Sequence, residues 1–213
     1  MLSARGVVAG YARGRAVLDG VDVTVPRGAV RGLAGPSGCG KSTLARVLAL
    51  LQRPWSGTVE LDGREIRGAR YSVPRESRTS VGIVFQQPRP AVDPRMTLRE
   101  IVSEPLRVRG ARQPRARVDE LAETTGLDAE LLGRMPHEVS DGQLQRACLA
   151  RAMAPRPRYL ICDEMTGMLD ASTTAALVRV VTGRVAEEGT GVLAISHDES
   201  LLRAWAGDDV IRW

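Results

Sequence analysis

Gly35-Pro36-Ser37-Gly38-Cys39-Gly40-Lys41-Ser42 is the stretch from which the fold of this chain can be read. It has the spacing of a phosphate-binding loop: Gly, four residues, Gly, Lys, then Ser or Thr. The pattern carries weight only between a strand and a helix, and both are expected here. Val30 to Ala34 reads as a short buried strand, and Thr43 to Leu51 as a helix with Leu44, Val47, Leu48 and Leu51 apolar. The glycines let the backbone curl so that several N–H groups face one anion, and the positive end of the helix adds to the attraction. Lys41 then reaches the β- and γ-phosphates of a nucleotide, and Ser42 offers its hydroxyl to Mg²⁺. Lys41 is also the only lysine among thirty Lys and Arg residues. A guanidinium suits planar, bidentate contacts, whereas this loop asks for a compact ammonium.

The chain has 213 residues, 43% of them hydrophobic, enough for one domain with a subdomain. Aromatics are few, so Leu, Val and Ala must supply most of the packing. No apolar run approaches the roughly 20 residues that cross a bilayer. Met1 to Tyr11 lacks the basic and then apolar pattern of a signal peptide, so free thiols in a reducing compartment are expected for Cys39, Cys148 and Cys162. Cys162 reads as inert in its strand, and Cys39 as open to oxidation or alkylation. The net charge of +5 is spread over scattered arginines. The densest group, Arg107 to Arg117, has no aromatics between its members for base stacking, which points to a solvated or membrane-facing surface and away from nucleic acid.

Outward from the loop, strands are expected at Val7 to Tyr11, Val21 to Val25, Thr58 to Leu61, Val81 to Phe85, Tyr159 to Cys162, Gly191 to Ile195 and Val210 to Trp213. Helices are expected from Thr97, capped with Glu100, to Arg109, and at Gln113 to Thr125, Asp128 to Leu132, Ser172 to Glu187 and Glu199 to Ala206. Another runs to Ala154 with Ser140 or Asp141 as its cap. The pattern predicts an α/β core over residues 1–88 and 156–213, β-rich at its N-terminal side, with a helical insertion over 89–155.

A phosphate loop needs a partner strand that carries an acid for the metal. Leu160-Ile161-Cys162-Asp163-Glu164 supplies two acids at a strand's C-terminal end, where ligands bind in open α/β sheets. Asp163 suits Mg²⁺ through water, and Glu164 suits a general base for an attacking water. His197, after another strand, can donate to the γ-phosphate. Gln86, at the end of Val81 to Phe85, can reach both metal and water. Val139-Ser140-Asp141-Gly142-Gln143 opens a helix and offers a second anion site.

Taken together these motifs resemble the ATP-binding subunit of an ABC transporter, over essentially the whole chain. The resemblance implies a P-loop NTPase core with a β-rich subdomain and an inserted helical signature subdomain. It implies that Tyr11 stacks on adenine and that Gly35, Pro36, Ser37, Gly38, Cys39, Gly40, Lys41, Ser42 and Thr43 hold the phosphates. Lys41, Gln86, Glu164 and His197 become the catalytic set, with Ser42, Gln86 and Asp163 around Mg²⁺. Ser140, Asp141, Gly142 and Gln143 become the signature, and Asp170 an inter-subunit contact to the nucleotide of the partner. The implied cofactors are ATP and Mg²⁺. The implied partners are a second ATPase subunit, identical or not, membrane permeases and, indirectly, a solute-binding protein, with the chain held at the cytoplasmic face of the membrane. Pro94-Arg95-Met96-Thr97, Glu104-Pro105-Leu106 and Pro136-His137-Glu138 resemble the oligopeptide and nickel importer branch. A soluble ABC ATPase serving nucleic acid or iron–sulfur assembly is the alternative.

Three departures from the family pattern stand out. Asp141 replaces the first glycine of the signature. Its carboxylate either turns away to cap the helix or faces a bound phosphate, where two unit charges about 4 Å apart repel by about 4 kcal/mol. In the second case Asp141→Gly raises turnover, and the chain belongs to a heterodimer with one weakened site. Met165 stands where the family has proline, which leaves the base less stiffly held. Gly167 and Met168 also differ, without a physical account.

Overall fold

Five short runs rich in Val, Leu, Ile and Ala form a parallel sheet because both of their faces can be buried. The computed structural model describes residues 1–11, 14–111, 114–167 and 169–213. Its strands are β1 (Leu2–Ala9), β2 (Leu18–Val25), β3 (Val30–Ala34), β4 (Ser56–Leu61), β5 (Arg64–Glu65), β6 (Val81–Val84), β7 (Tyr159–Asp163), β8 (Gly191–Ser196) and β9 (Val210–Arg212). The helices are α1 (Lys41–Leu48), α2 (Arg75–Thr79), α3 (Leu98–Arg109), α4 (Pro114–Thr125), α5 (Ala129–Gly133), α6 (Asp141–Met153), α7 (Ala171–Glu188) and α8 (Glu199–Ala206). The parallel sheet runs β6-β7-β8-β3-β9, and an antiparallel sheet runs β2-β1-β4-β5.

Alternation along the parallel strands sends side chains to two cores. Tyr159, Ile161, Leu193 and Ile195 join α1 and the antiparallel sheet, while Leu160, Cys162 and Val192 join the helices α3, α4 and α6. The second core gathers Leu98, Ile101, Leu121, Leu144 and Leu149, each fully buried. Thr97 and Glu100 make the expected capping box at the head of α3: the Glu100 N–H donates to Thr97 Oγ1 at 3.3 Å and the Thr97 N–H to Glu100 Oε2 at 2.8 Å. α3 and α6 pack against each other, and α6 leans on β6.

Several expected boundaries shift. β1 begins at Leu2 and ends at Ala9, so Tyr11 lies beyond it. Its register slips between Ala4 and Val7 against β2, and Gly6 takes a φ of 55°, so the apolar alternation changes phase from Leu2 and Ala4 to Val7 and Ala9. α1 starts at Lys41 and stops at Leu48; Leu50 has a φ of 62°, which ends the helix before Leu51. β5 and α2 were not expected. α2 buries none of its residues, and β5 is two exposed residues, so neither carries a hydrophobic period. The expected helix start at Gln113 and the departure at Met168 lie outside the described residues.

Close approach of β6 to α6 rests on one residue without a side chain. A Cβ on Gly82 would lie 2.7 Å from the Ala152 carbonyl oxygen, 3.1 Å from Leu160 and 3.3 Å from Pro157. Gly82→Ala is therefore expected to lower stability by about 1–3 kcal/mol, read from urea unfolding. A variant as stable as the parent would show that this contact is loose.

Candidate active site

Four neighbouring strands of the parallel sheet end on the same side, and each delivers one part of the site. The phosphate loop follows β3, Asp163 closes β7, His197 follows β8, and Gln86 comes two residues after β6. Within the loop, Gly38 and Gly40 have φ values of 83° and 110°, a region that side chains rarely enter. A Cβ on Gly40 would also lie 2.8 Å from Leu18 Cδ2. Gly40 is the N-cap of α1, so Lys41, Ser42 and Thr43 occupy the first turn, where the backbone N–H groups lack helical partners.

Lys41 is buried, at 5% exposure, so its charge needs local partners. Its Nζ donates to the carbonyl oxygens of Gly35 and Pro36 at 2.7 and 2.8 Å. It also lies 3.8 Å from Glu164 Oε1. Glu164 in turn accepts a hydrogen bond from Gln86 Nε2 at 2.9 Å and has His197 Nδ1 at 3.4 Å. The four expected catalytic residues thus meet at one carboxylate. Glu164 itself has a φ of 48°, an uncommon conformation for a residue with a side chain, and its N–H is held by the Ile195 carbonyl at 3.0 Å.

Asp163 sits deeper. Burial pushes its carboxyl above the ordinary range and the neighbouring Glu164 pushes the same way, while a hydrogen bond from Ser42 opposes them. Asp163 Oδ1 is buried and has no hydrogen-bond partner among the described residues. An orphaned carboxylate oxygen beside a serine hydroxyl is a donor set that fits Mg²⁺, which takes few protein ligands and fills its shell with water and phosphate oxygens. An open cleft of about 410 Å³, lined in part by Ser42, Gln86 and Asp163, leads to it.

Tyr11 is exposed, at 68%. Its hydroxyl lies 3.1 Å from Thr43 Oγ1 and accepts from Arg46 Nη1 at 2.6 Å. The Arg46 guanidinium also stands 5.9 Å from the ring centroid. Arg46 was not among the expected site residues, although it lines the cleft on one side and steadies Tyr11 on the other.

Helix α6 is capped by Ser140, not by Asp141. The Gln143 N–H donates to Ser140 Oγ at 3.2 Å, and the Ser140 N–H to Gln143 Oε1 at 2.9 Å. Asp141 turns to a residue that sequence reasoning missed. Arg89 Nε lies 2.7 Å from Asp141 Oδ1, in an ion pair whose angle falls short of a hydrogen bond. Arg89 also donates to the carbonyls of Pro136 and Val139 at 2.8 and 3.1 Å. Nothing in the spacing of the chain foretells this, because the partners are backbone groups some fifty residues away. Gly142 stays bare beneath Leu169, whose Cδ2 would lie 3.2 Å from an added Cβ.

Asp170 is the N-cap of α7, accepting from Thr173 and Ser172, and these bonds, led by the Thr173 hydroxyl, hold its carboxyl far below the usual range. The thiols divide as expected from burial. Cys148 is pushed up to about 11 and Cys162 higher still by removal from water. Cys39 is half-buried in the loop, 3.9 Å from Lys41 Nζ.

A phosphate loop at the head of a helix, with an acid at the end of a strand one removed from it in the same parallel sheet, defines a P-loop nucleoside triphosphatase. The model of the ABC transporter family matches residues 18–167. The chain belongs to the ABC transporter family. It is 36% identical over 212 residues to the di/tripeptide transport ATP-binding protein DppF of Pseudomonas aeruginosa strain UCBPP-PA14, covering 98% of this chain and 65% of that one. It is 38% identical over 203 residues to the nickel import ATP-binding protein NikE of Escherichia coli strain UTI89, covering 93% and 75%. The chain spans 65% or less of the first curated relatives it matches. Among solved structures, the dimeric bacterial ABC transporter cassette MJ0796 superposes with a TM-score of 0.88 at 27% identity, covering 100% of this chain and 94% of that one. The same cassette in a post-hydrolysis state bound to ADP and Pi gives 0.86 at 26%, covering 99% and 96%.

Iodoacetamide at about pH 8 is expected to modify Cys39 in the folded protein, and Mg–ATP to slow that reaction, since thiolate and access govern alkylation. Peptide mass spectrometry reads the site. Equal labelling of Cys148 or Cys162 would contradict their burial.

Proposed function

We propose that this chain binds and hydrolyses ATP as one nucleotide-binding subunit of a membrane importer for peptides, nickel or a related small solute. The observation that carries the reading is the meeting of Lys41, Gln86 and His197 on Glu164 beside the phosphate loop. Those donors are the groups a terminal phosphate needs, and they already surround an anion. The importer branch is supported by the names of the relatives, which include dipeptide and nickel import proteins. Residues 1–213 are taken as one cassette, with 1–88 and 156–213 as its core and 89–155 as its helical subdomain.

In this reading the loop N–H groups and Lys41 hold the phosphates, and Tyr11 stacks on adenine. Ser42 and Asp163, with Gln86, hold Mg²⁺, which supplies charge neutralisation across the phosphate oxygens. Glu164 accepts a proton from the water that attacks the γ-phosphorus, and the bond from that phosphorus to the bridging oxygen of ADP breaks. Gln86 orients that water, and His197 donates to the γ-phosphate. Ser140, Gly142 and Gln143 close on the nucleotide of a partner subunit, with Asp170 at the same junction. No helix of the described residues is long and apolar enough to cross a membrane. Attachment to the cytoplasmic face of the membrane then runs through permease subunits, with a solute-binding protein upstream.

Glu164→Gln tests the reading. It deletes the proton acceptor and keeps the shape, so the variant is expected to retain Mg–ATP and shift from monomer to dimer in a solution mass measurement. A monomer that holds ATP places the second site on a different subunit. Failure to bind ATP would sink the assignment.

Arg89 changes the expectation for Asp141. Both side chains are partly exposed, so the pair is worth at most about 1 kcal/mol, and Asp141→Gly should leave turnover within about fivefold of the parent. Arg89→Ala bares the carboxylate at the helix that meets the partner's nucleotide, and turnover should fall further than with Asp141→Gly. A rise in turnover beyond about fivefold with Asp141→Gly alone would restore the picture of a weakened site.

A further inference from the structure

Gln145 is the one polar side chain fully committed to the inner face of α6. It is 3% exposed and sits among Leu144, Ala147, Cys148 and Leu149. Its Nε2 donates to the Phe85 carbonyl at 2.9 Å and to the Met165 carbonyl at 3.0 Å. Phe85 precedes Gln86, and Met165 follows Glu164. A single amide therefore grips the backbone on both sides of the Gln86–Glu164 hydrogen bond, one residue away from each end.

The chemistry is selective. An NH₂ group has two protons, and both are spent on carbonyl oxygens here. A flipped amide would set its own oxygen against both carbonyls, so the orientation is determined by its partners. Oε1 is left buried without a partner among the described residues, which is a cost that packing alone would have avoided with an alkyl side chain. α6 has apolar contacts enough for packing. What the amide adds is registry between three segments: the loop after β6, the turn after β7, and the helix that begins at Ser140.

We propose that Gln145 is a positioning residue that transmits nucleotide binding at Gln86 and Glu164 to the signature end of α6. The inference rests on the ATP-binding reading above. A γ-phosphate that takes Lys41 and His197 from Glu164 frees the Gln86–Glu164 pair to rearrange and shifts the Phe85 and Met165 carbonyls, and Gln145 passes that shift into α6. Arg151 Nη1, which donates to the Ala91 carbonyl at 2.7 Å, and Arg89, which holds the Pro136 and Val139 carbonyls, complete the lashing of this loop to the helical side. The same α6 that touches a partner's nucleotide is thus keyed to the state of its own subunit's site.

Hydrogen exchange with mass spectrometry on the full chain, with and without Mg²⁺ and a non-hydrolysable ATP analogue, tests the proposal. In the parent, the analogue should protect residues 35–43 and also slow exchange in 85–92 and 140–146. Gln145→Met keeps the length, suits the apolar surroundings and has no donor, and should confine protection to 35–43. Gln145→Asn keeps the amide on a shorter stem, reaches at most one carbonyl, and should give an intermediate response. Unchanged protection of 140–146 in Gln145→Met would overturn the proposal, as would a parent that responds only in 35–43. A parent with no response at 35–43 would instead overturn the ATP-binding reading. If Gln145→Met exchanges throughout before any nucleotide is added, Gln145→Asn decides: a parent-like response overturns the proposal, and a diminished response at 140–146 supports it.

Discussion

The Glu164 carboxylate is the point on which the site converges. It has Lys41 at 3.8 Å, the Gln86 amide at 2.9 Å and His197 at 3.4 Å. Those groups come from the ends of three other strands, and only a parallel sheet with its order β6-β7-β8-β3 brings the ends side by side. The conformation of Glu164 is itself uncommon, and its N–H is held by β8. An anion must be answered by donors at short range when it is largely removed from water. Sheet order, strand length and the turn after β7 together meet that condition.

Much of this was legible in the residues, and for a physical reason. Phosphate binding demands glycines at positions where no side chain fits and an ammonium at one place, so its spacing is strict. The capping box at Thr97 and Glu100 is equally local, and it appears where the residues predict it. The parallel strands read clearly because both of their faces are buried. Where the reading slipped, the governing contact was remote or the segment lacked a period. A bulge at Gly6 shifted the alternation of β1. α2 is five residues long and buries none of them.

Arg89, Arg46 and Gln145 were missed for a related cause. Arg89 and Gln145 hold backbone carbonyls across the fold, and Arg46 holds a tyrosine ring and hydroxyl thirty-five positions away. A carbonyl exists at every position and leaves no mark in the sequence. The one available hint for Gln145 was its place within an apolar stretch of α6. For Asp141 the residues allowed two geometries, a cap or a carboxylate over phosphate. The structure has Ser140 capping the helix and Asp141 paired with Arg89.

The near-absence of lysine has a practical side. Apart from the amino terminus, amine chemistry has a single address on this chain, and that address is Lys41. Reagents that acylate amines will meet an ammonium that is 5% exposed and already donating to two carbonyls. Side-chain acylation therefore reports one thing, whether the phosphate loop is open or filled. Tags and couplings that rely on surface lysines will fail on the folded protein, while every arginine on its surface remains untouched.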